Sequence, residues 1–221
     1  MNQPLGDTVI VSAGNYGKEV YSWALDCVKA GTLGPVKGFL DDRPQALDGL
    51  DFEAKIIGTV DQYVPRESDR FICAIGESRS RQKYVELLKK KGARFTRLIH
   101  PTAIVGQGVR LGEGVILAPY SVLTAALEVG NFVNIGVFSG CSHHNVIGDW
   151  CQISGHCSMP GRIVLEEGVF LACGVVLVPG VRIGAWSYIG AGSVVLRRVP
   201  PRTKMFGVPA VPIGRADDAA P

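Results

Sequence analysis

An apolar residue recurs at every sixth position from Ile99 to Val195, and this repeat restricts the fold more than any other feature of the chain. A period of six matches neither the helical period nor the simple alternation of a half-buried strand. Glycine often follows the apolar residue, as at Gly106, Gly130 and Gly184, and a small or β-branched residue often stands four positions after it. This hexapeptide pattern is typical of a parallel β-helix.

Three hexapeptides are expected to form one rung of a triangular coil, with one short strand on each side. The aliphatic and small residues then point inward, and glycine is expected to supply the backbone conformations at the corners. Because successive rungs lie about 4.8 Å apart and bond to each other, residues 99–200 predict an all-β domain of roughly five to six rungs.

Residues 1–98 show a different pattern, in which short apolar runs alternate with helical periodicity. Thr8–Ser12, Val36–Leu40 and Phe71–Ile75 are expected to be strands, with one helix after the first strand and another over Ser78–Lys91. Alternating strands and helices predict a small parallel α/β domain of the Rossmann-like kind.

Ligands of such a domain bind beyond the carboxyl ends of the strands. A glycine turn at a helix N-terminus can hold a diphosphate, and an aspartate after the second strand can accept hydrogen bonds from a ribose or a base. Ser12 stands where the dinucleotide fingerprint requires glycine, which argues against NAD. A glycine turn that serves only strand–helix packing remains an alternative. The candidate nucleotide-sugar-binding residues are Gly14, Asn15, Tyr16, Gly17, Asp41, Asp42, Gly76 and Glu77.

Composition limits the classes of partner. The net charge of +3 is too small to indicate nucleic acid binding. The sequence MNQPLGDTVIV contains no basic leader, and no apolar run reaches membrane-spanning length, so the expected location is the cytoplasm without membrane contact. Cys141, Cys151 and Cys157 occupy inward positions of the repeat, and Cys27 lies on an apolar helix face, which favours packed thiols over disulfides.

Six stretches spread over most of the chain resemble one known family, and their order and spacing are more specific than any one of them: VSAGNYGKEV, GFLDDR, AIGESRSR, LIHPTAIVG, SHHNVIGDW and FGVPA. The chain resembles the bacterial sugar acyltransferases of the sialic acid O-acetyltransferase family, of the NeuD/PglD/PerB type. The resemblance implies a nucleotide-sugar domain over 1–98, a left-handed β-helix acyltransferase domain over 99–200 and a tail that contacts CoA over 201–221. The hand of the coil follows from the resemblance alone.

The resemblance places the general base at His143. An imidazole with a pKa near 6.5 is mostly neutral at pH 7, so it can take a proton as an amine or hydroxyl attacks the thioester of acetyl-CoA. The family usually has a carboxylate at the next position, where this chain has His144. Three possibilities follow: another acid such as Asp149 supplies the charge, His143 works with a weaker orienting group, or His144 is itself the base.

The resemblance also implies a path for acetyl-CoA, the expected co-substrate, with no metal. Gly161, one rung beyond His143, is expected to present its N–H to the thioester oxygen. The alternative is that Gly161 has only a structural role at a corner of the coil. Arg197, Arg198 or Lys204 would approach the phosphates, and the remaining CoA contacts are expected from Cys173, Ala191, Gly207, Val208 and Pro209.

Aromatic residues three positions after the aliphatic are expected to project outward and form one apolar stripe: Tyr120, Phe132, Phe138, Trp150 and Trp186. A homotrimer, as in the resembled family, would bury this stripe. The active site would then lie between neighbouring coils.

Together these features predict an acetyl-CoA-dependent N-acetyltransferase that acts directly on the amino group of a UDP-, GDP- or dTDP-linked amino sugar. O-acetylation of a sialic acid or another sugar is the alternative within the same machinery. Two alternatives belong to other classes: a non-catalytic nucleotide-sugar-binding protein, and a γ-carbonic-anhydrase-like metalloenzyme with His143, His144 and His156 as ligands. An acyl-cysteine at Cys141 is disfavoured because its position in the repeat points inward.

Overall fold

The computed structural model describes residues 5–216, in which an α/β domain packs against the side of a parallel β-helix. The strands of the α/β domain are β1 Asp7–Val11, β2 Val36–Leu40, β3 Ile56–Gly58 and β4 Asp69–Cys73. They form one parallel sheet in the order β3-β2-β1-β4. The three predicted strands are confirmed to within two residues. The pattern did not predict β3, because three half-buried residues carry no clear periodicity.

Two helices cover this sheet, α1 over Asn15–Lys29 and α2 over Ser78–Lys90, as the periodicity predicted. The turn before α1 requires a glycine at its third helical position, because a Cβ on Gly17 would lie 2.0 Å from the carbonyl oxygen of Ser12. Helix α1 ends where Gly31 takes a φ of +71°. No helix within residues 5–216 has the length and apolarity needed to cross a membrane.

The coil consists of two-residue strands, each of which carries one inward residue of the repeat. These strands are β5 Leu98–Ile99, β6 Ile104–Val105, β7 Arg110–Leu111, β8 Ile116–Leu117, β9 Val122–Leu123, β10 Glu128–Val129, β11 Asn134–Ile135, β12 Gly140–Cys141, β13 Val146–Ile147, β14 Gln152–Ile153, β15 Ser158–Met159, β16 Val164–Leu165, β17 Phe170–Leu171, β18 Val176–Leu177, β19 Arg182–Ile183, β20 Tyr188–Ile189 and β21 Val194–Val195. A C-terminal hairpin of β22 Thr203–Gly207 and β23 Ala210–Arg215 extends one face through the pairing of β22 with β20.

The strands build three parallel faces, and each strand pairs with the strand 18 residues away, as Glu128 does with Val146. Three hexapeptides per rung are therefore confirmed. The inward residues form one continuous buried core from Val115 to Met205, which includes the thiols of Cys141, Cys151 and Cys157. Burial of this apolar column, together with the hydrogen bonds between rungs, holds the coil together.

Each rung turns at residues with a left-handed backbone, and these residues define three corners. The histidine corner contains Ala126, His144 and Arg162; the ladder corner contains Tyr120, Phe138 and His156; the covered corner contains Phe132, Trp150 and Trp186. The expectation that glycine supplies the corner conformation is confirmed where a glycine occupies the turning position, as at Gly108, Gly174 and Gly192. The glycines directly after the aliphatic residues do not turn the chain, since the turning residue stands two positions later. Those glycines instead allow rungs to approach: a Cβ on Gly106 would lie 1.6 Å from the carbonyl oxygen of Thr124.

The predicted single aromatic stripe is also wrong, because its members lie at two different corners. Phe132 is 1% exposed and stacks on Trp150, with ring centroids 4.8 Å apart, beneath the α/β domain. Tyr120 and Phe138 stack at 5.1 Å at the ladder corner, where each remains 54% exposed. Of the five residues of the predicted stripe, only Tyr120 and Phe138 are therefore largely exposed for contact with a partner.

A fully buried arginine joins the α/β domain to the coil. The Arg81 guanidinium donates to the carbonyl oxygens of Ile75 at 2.6 Å, Phe132 at 3.0 Å and Trp150 at 2.7 Å, and to Gln152 Oε1 at 3.1 Å. Burial away from water lowers the pKa of Arg81. Because these carbonyl groups would otherwise be buried without partners, Arg81 fixes the loop after β4 against the coil.

Candidate active site

His143 and His144 lie next to each other at the histidine corner, in the exposed turn between β12 and β13. Their Nδ1 atoms are 3.0 Å apart, and their rings meet edge to face with an interplanar angle of 81°. The left-handed backbone of His144, with a φ of 59°, turns its ring back toward His143. The corner of the coil therefore creates a contact between adjacent residues that would diverge in an extended strand.

The short distance between the two Nδ1 atoms restricts the protonation of the pair. One nitrogen must donate and the other accept, because two unprotonated nitrogens would repel each other. When His143 donates its Nδ1–H to His144, the Nε2 atom of His143 carries the free lone pair of a base. In the opposite arrangement Nε2 of His143 carries the proton and cannot accept another.

Gly161 lies one rung above His143 and provides the space for its ring. A Cβ on Gly161 would lie 2.4 Å from Cε1 and 2.7 Å from Nε2 of His143. Within residues 5–216 no acceptor pairs with the Gly161 N–H, although the Gly161 carbonyl accepts from Gly180 at 3.1 Å. A base and an unpaired backbone donor therefore lie side by side on an open surface.

Asp149, the nearest acid in sequence, does not reach the histidines. Its Oδ1 atom accepts the backbone N–H of Asn131 at 2.7 Å, one rung below and toward the covered corner. Among residues 5–216 no carboxylate oxygen lies within 4 Å of a His143 ring nitrogen. The imidazole of His144 is the group that contacts the Nδ1 atom of His143.

The cysteine nearest the histidines is a buried thiol. Burial raises the pKa of Cys141 to about 12, so the thiol stays protonated at neutral pH and is a poor nucleophile. All six cysteines are free, and Cys173 is exposed. The prediction of packed thiols is confirmed for Cys27, Cys141, Cys151 and Cys157.

The carboxyl edge of the α/β sheet holds a second candidate site, a cavity of about 360 Å³. It lies between the ends of β1, β2 and β4, and its polar lining comes from Ser12, Asp41, Asp42, Arg43 and Tyr84. Helix α1 begins beside it at Gly14, which has no side chain to cap the helix. The structure thus brings the glycine turn and the two aspartates together.

Three of the predicted nucleotide-binding side chains already have partners or are buried inside the protein. Asp41 accepts from the Ala13 N–H at 2.8 Å and from Arg43. Burial alone would raise the pKa of Asp41, but these hydrogen bonds hold it below its usual value. Glu77 caps α2 by accepting from the N–H groups of Arg79 and Ser80. The hydroxyl of Tyr16 is buried without a hydrogen-bond partner among residues 5–216, and burial raises its pKa.

Sequence reasoning missed two side chains at this cavity, Arg43 and Tyr84. Arg43 was visible as the last letter of GFLDDR, directly after the two aspartates. Tyr84 lies on α2, and its hydroxyl interacts with Asp42. No signal in the sequence placed Tyr84 here, because the contact depends on how α2 packs across the sheet.

The predicted CoA contacts fall at two corners of the coil. Gly161 lies beside His143, whereas Cys173 and Ala191 lie one rung apart beside the ladder corner and are both exposed. The hairpin that carries Gly207, Val208 and Pro209 is held close to Ala191, because the Phe206 ring packs on Gly190. One chain alone does not bring these two groups together.

The three histidines proposed as metal ligands are also divided. His156 lies at the ladder corner, where its ring stacks on Phe138 at 5.1 Å, and His143 and His144 lie at the histidine corner. Residues 5–216 contain no group of three histidine, cysteine or acidic side chains arranged to hold a metal ion.

Both halves of the chain match known protein families. Residues 7–88 match the PglD N-terminal domain, and residues 162–197 match the bacterial transferase hexapeptide repeat. A curated relative, GDP-perosamine N-acetyltransferase of Escherichia coli O157:H7, is 28% identical over 137 residues, which are 62% of this chain and 54% of the relative. The chain therefore spans about half the length of that relative, and less of the other curated relatives it matches.

Solved structures match over nearly the whole chain. PerB from Caulobacter crescentus, in complex with CoA and GDP-perosamine, is 28% identical with a TM-score of 0.85 and covers 97% of this chain and 100% of its own. WeeI from Acinetobacter baumannii AYE is 26% identical with a TM-score of 0.81 and covers 93% of this chain and 99% of its own. The chain therefore combines a PglD N-terminal domain with a bacterial transferase hexapeptide repeat, and it shares the fold of PerB and WeeI over nearly its whole length.

Proposed function

We propose that this protein transfers an acetyl group from acetyl-CoA to the amino group of a nucleotide-linked amino sugar. The observation that carries the proposal is the arrangement at the histidine corner, where the His143 ring packs on Gly161 and its Nδ1 contacts His144 at 3.0 Å. The related PerB was solved with CoA and GDP-perosamine, which supports both ligand classes. The cavity beside the glycine turn would hold the nucleotide.

The proposed reaction needs one base and one hydrogen-bond donor. Nε2 of His143 takes a proton from the attacking amine as its nitrogen bonds to the thioester carbonyl carbon. The C–S bond then breaks and the CoA thiolate leaves, and the proton held by His143 can return to that sulfur. The Gly161 N–H would bear the negative charge that develops on the carbonyl oxygen, a role typically worth about 2.7–4 kcal/mol.

The acceptor is tested by incubating the protein with acetyl-CoA and a panel of UDP-, GDP- and dTDP-linked amino sugars, with free sialic acid as a further acceptor. Mass spectrometry then identifies which compound gains one acetyl group. Gain on an amino sugar nucleotide supports the proposal, and gain on sialic acid alone selects O-acetylation. Binding of a nucleotide sugar without transfer to any acceptor would favour a binding protein.

The same proposal includes a homotrimer in the cytoplasm, with residues 1–98 and 99–200 as the two domains and 201–221 as a CoA-contacting tail. Residues 1–4 and 217–221 lie outside the described part of the chain. Because Gly161 and Ala191 are at different corners, a complete site would need the histidine corner of one subunit and the ladder corner of the next. The exposed rings of Tyr120 and Phe138 provide apolar surface for that contact.

A site shared between subunits predicts complementation between two inactive variants. His143→Ala removes the base, and Ala191→Trp fills the exposed surface proposed for CoA at the other corner. Each variant alone should be inactive, and trimers assembled from a co-expressed mixture should regain part of the wild-type acetyl-transfer rate. Mixtures of the wild-type chain with each single variant, co-expressed in the same way, serve as controls for assembly. A co-assembled mixture as inactive as its components would contradict the shared site.

His144 is expected to orient His143 by accepting its Nδ1–H. His144→Ala should lower kcat by about tenfold or more, because the base loses its fixed orientation. His144→Asp restores an acceptor, and its negative charge stabilises the protonated form of His143 and so raises the pKa of His143. The rising limb of kcat/KM against pH should therefore move to higher pH in His144→Asp than in wild type.

Arg162 lies in register with His144 on the next rung. Its charge is the same in every variant of this series, so differences between the variants come from residue 144. Tm measured for each His144 variant verifies that the coil is folded. An unchanged kcat in His144→Ala, or a pH profile that stays fixed in His144→Asp, would show that His144 does not act on His143.

A further inference from the structure

The side chain of Arg43 is both ordered and open. Its Nε donates to Asp41 Oδ1 at 2.9 Å, and its Nη2 donates to Asp41 Oδ2 at 2.9 Å. This two-point contact fixes the plane of the guanidinium, yet 65% of the side chain is exposed. Its other N–H groups have no acceptor among residues 5–216 and face solvent at the cavity.

Asp41 cannot serve as an acceptor for a ligand without giving up an existing bond. A carboxylate has about four acceptor sites, and Asp41 uses them on the Ala13 N–H and on the N, Nε and Nη2 of Arg43. Asp41 therefore links the glycine turn to Arg43. Its role in the structure is to position these two groups relative to each other.

The position of Arg43 places its charge over the start of α1. The Nη2 atom lies 3.7 Å from the point that a Cβ on Gly14 would occupy, so the guanidinium is close to the turn. Asp42, the other acid in the lining of the cavity, interacts with the hydroxyl of Tyr84 on α2. Arg43 is the only cationic residue in the cavity lining among the described residues.

We propose that Arg43 binds the diphosphate of the nucleotide-linked ligand and that Asp41 positions it for this contact. The inference deepens the proposed function and rests on it. An open guanidinium offers paired N–H donors that match the geometry of phosphate oxygens, and a fixed guanidinium loses less conformational entropy on binding than a mobile one. Asp42 would repel a phosphate placed at its own side of the cavity, which favours the Arg43 side.

The test compares the binding of nucleoside diphosphates with that of the matching nucleosides by isothermal titration calorimetry. The probes are UDP, GDP and dTDP, then uridine, guanosine and thymidine, each titrated into the full chain. Arg43→Gln should weaken the tightest diphosphate by about tenfold or more, in line with the loss of charge-assisted hydrogen bonds. The affinity for the nucleoside should change less than about twofold, because the nucleoside lacks the phosphates that Arg43 would contact.

Two further variants separate this effect from a loss of fold or of general surface charge. Arg43→Lys keeps the charge but cannot make the paired contact, so its affinity for the diphosphate should lie between those of wild type and Arg43→Gln. Arg66→Gln removes an exposed arginine outside the cavity lining and should bind diphosphates like wild type. Tm measured for each variant confirms that the domain is folded.

The outcomes distinguish this inference from the proposed function. Unchanged diphosphate affinity in Arg43→Gln, or an equal loss for diphosphate and nucleoside, would overturn the role of Arg43 while the nucleotide site stands. A wild-type protein that binds none of the six probes would instead contradict the nucleotide-linked acceptor of the proposed function, and this inference with it.

Discussion

Replacement of His143 by alanine is expected to lower kcat for acetyl transfer by about 10²–10⁴, the usual contribution of a general base. The Nε2 atom of His143 is the proton acceptor in the proposed reaction, and among residues 5–216 no carboxylate lies close enough to replace it. KM for acetyl-CoA should change little, since the alanine removes a group that acts on the acceptor. Steady-state rates with the acceptor identified from the panel measure both constants.

The fold of the His143→Ala variant can be verified independently of its activity. His143 is an exposed side chain at a corner, so Tm should stay close to that of wild type. A second replacement, His143→Gln, keeps a polar side chain of similar reach without a base of suitable pKa. If either variant kept more than about a tenth of the wild-type kcat, a loss far below the usual range for a general base, His143 would not be that base.

Gly161→Ala should be nearly as damaging, although it adds only one methyl group. That methyl carbon would lie 2.4 Å from Cε1 of His143, far inside van der Waals contact, and the exposed ring must move to relieve the clash. A displacement of about 1 Å in a catalytic group can cost about 10²-fold in rate, so a fall of that order in kcat is expected. Because Gly161→Ala retains the backbone N–H of residue 161, the fall in kcat would come from the displaced base.

Gly140→Ala is the matched control, because it adds the same methyl group on the rung of His143 without touching the histidine ring. A Cβ on Gly140 would meet nothing within 4 Å, and the residue belongs to β12, the strand that leads to His143. Its kcat and Tm should therefore match those of wild type. Equal activity in Gly161→Ala and Gly140→Ala would show that the contact between Gly161 and His143 has no role in catalysis.

The coil could be predicted from sequence because its contacts repeat locally. Each inward residue, such as Ile135 or Ile153, meets the equivalent residue 18 positions away, so one period determines every rung. The same regularity placed Gly161 one rung beyond His143. The predicted α/β elements also followed from periodicity, apart from β3, which has only three residues.

The covered corner could not be predicted, since its burial depends on contacts between the two domains. Phe132 and Phe138 occupy the same position of the hexapeptide, yet one is buried beneath the α/β domain and the other is exposed. The difference arises because α2 and its buried Arg81 pack on the corner of Phe132. No feature of the repeat itself distinguishes these two phenylalanines.

The nucleotide cavity shows a similar limit for single side chains. Asp41 was correctly placed at the carboxyl edge, but its oxygens are filled by the N–H of Ala13, 28 residues earlier in the chain, and by Arg43. Which of several polar residues faces a ligand therefore depends on hydrogen bonds that spacing alone does not reveal. For the same reason the sequence left three possibilities open for the histidine pair: another acid, a weaker orienting group, or His144 as the base. In the structure Asp149 bonds to Asn131 instead, and His144 contacts Nδ1 of His143 at 3.0 Å.

The central claim is direct acetyl transfer at the histidine corner, and one experiment tests it most directly. The protein is incubated with acetyl-CoA and GDP-perosamine, the nucleotide sugar bound in the related PerB, and then with the other amino sugar nucleotides of the panel. Mass spectrometry measures the nucleotide sugar and the intact protein in the same samples. We expect one acetyl group on a nucleotide sugar and none on the protein. An acetylated protein that forms before the product, or no acetylated sugar with any acceptor of the panel, would contradict the account.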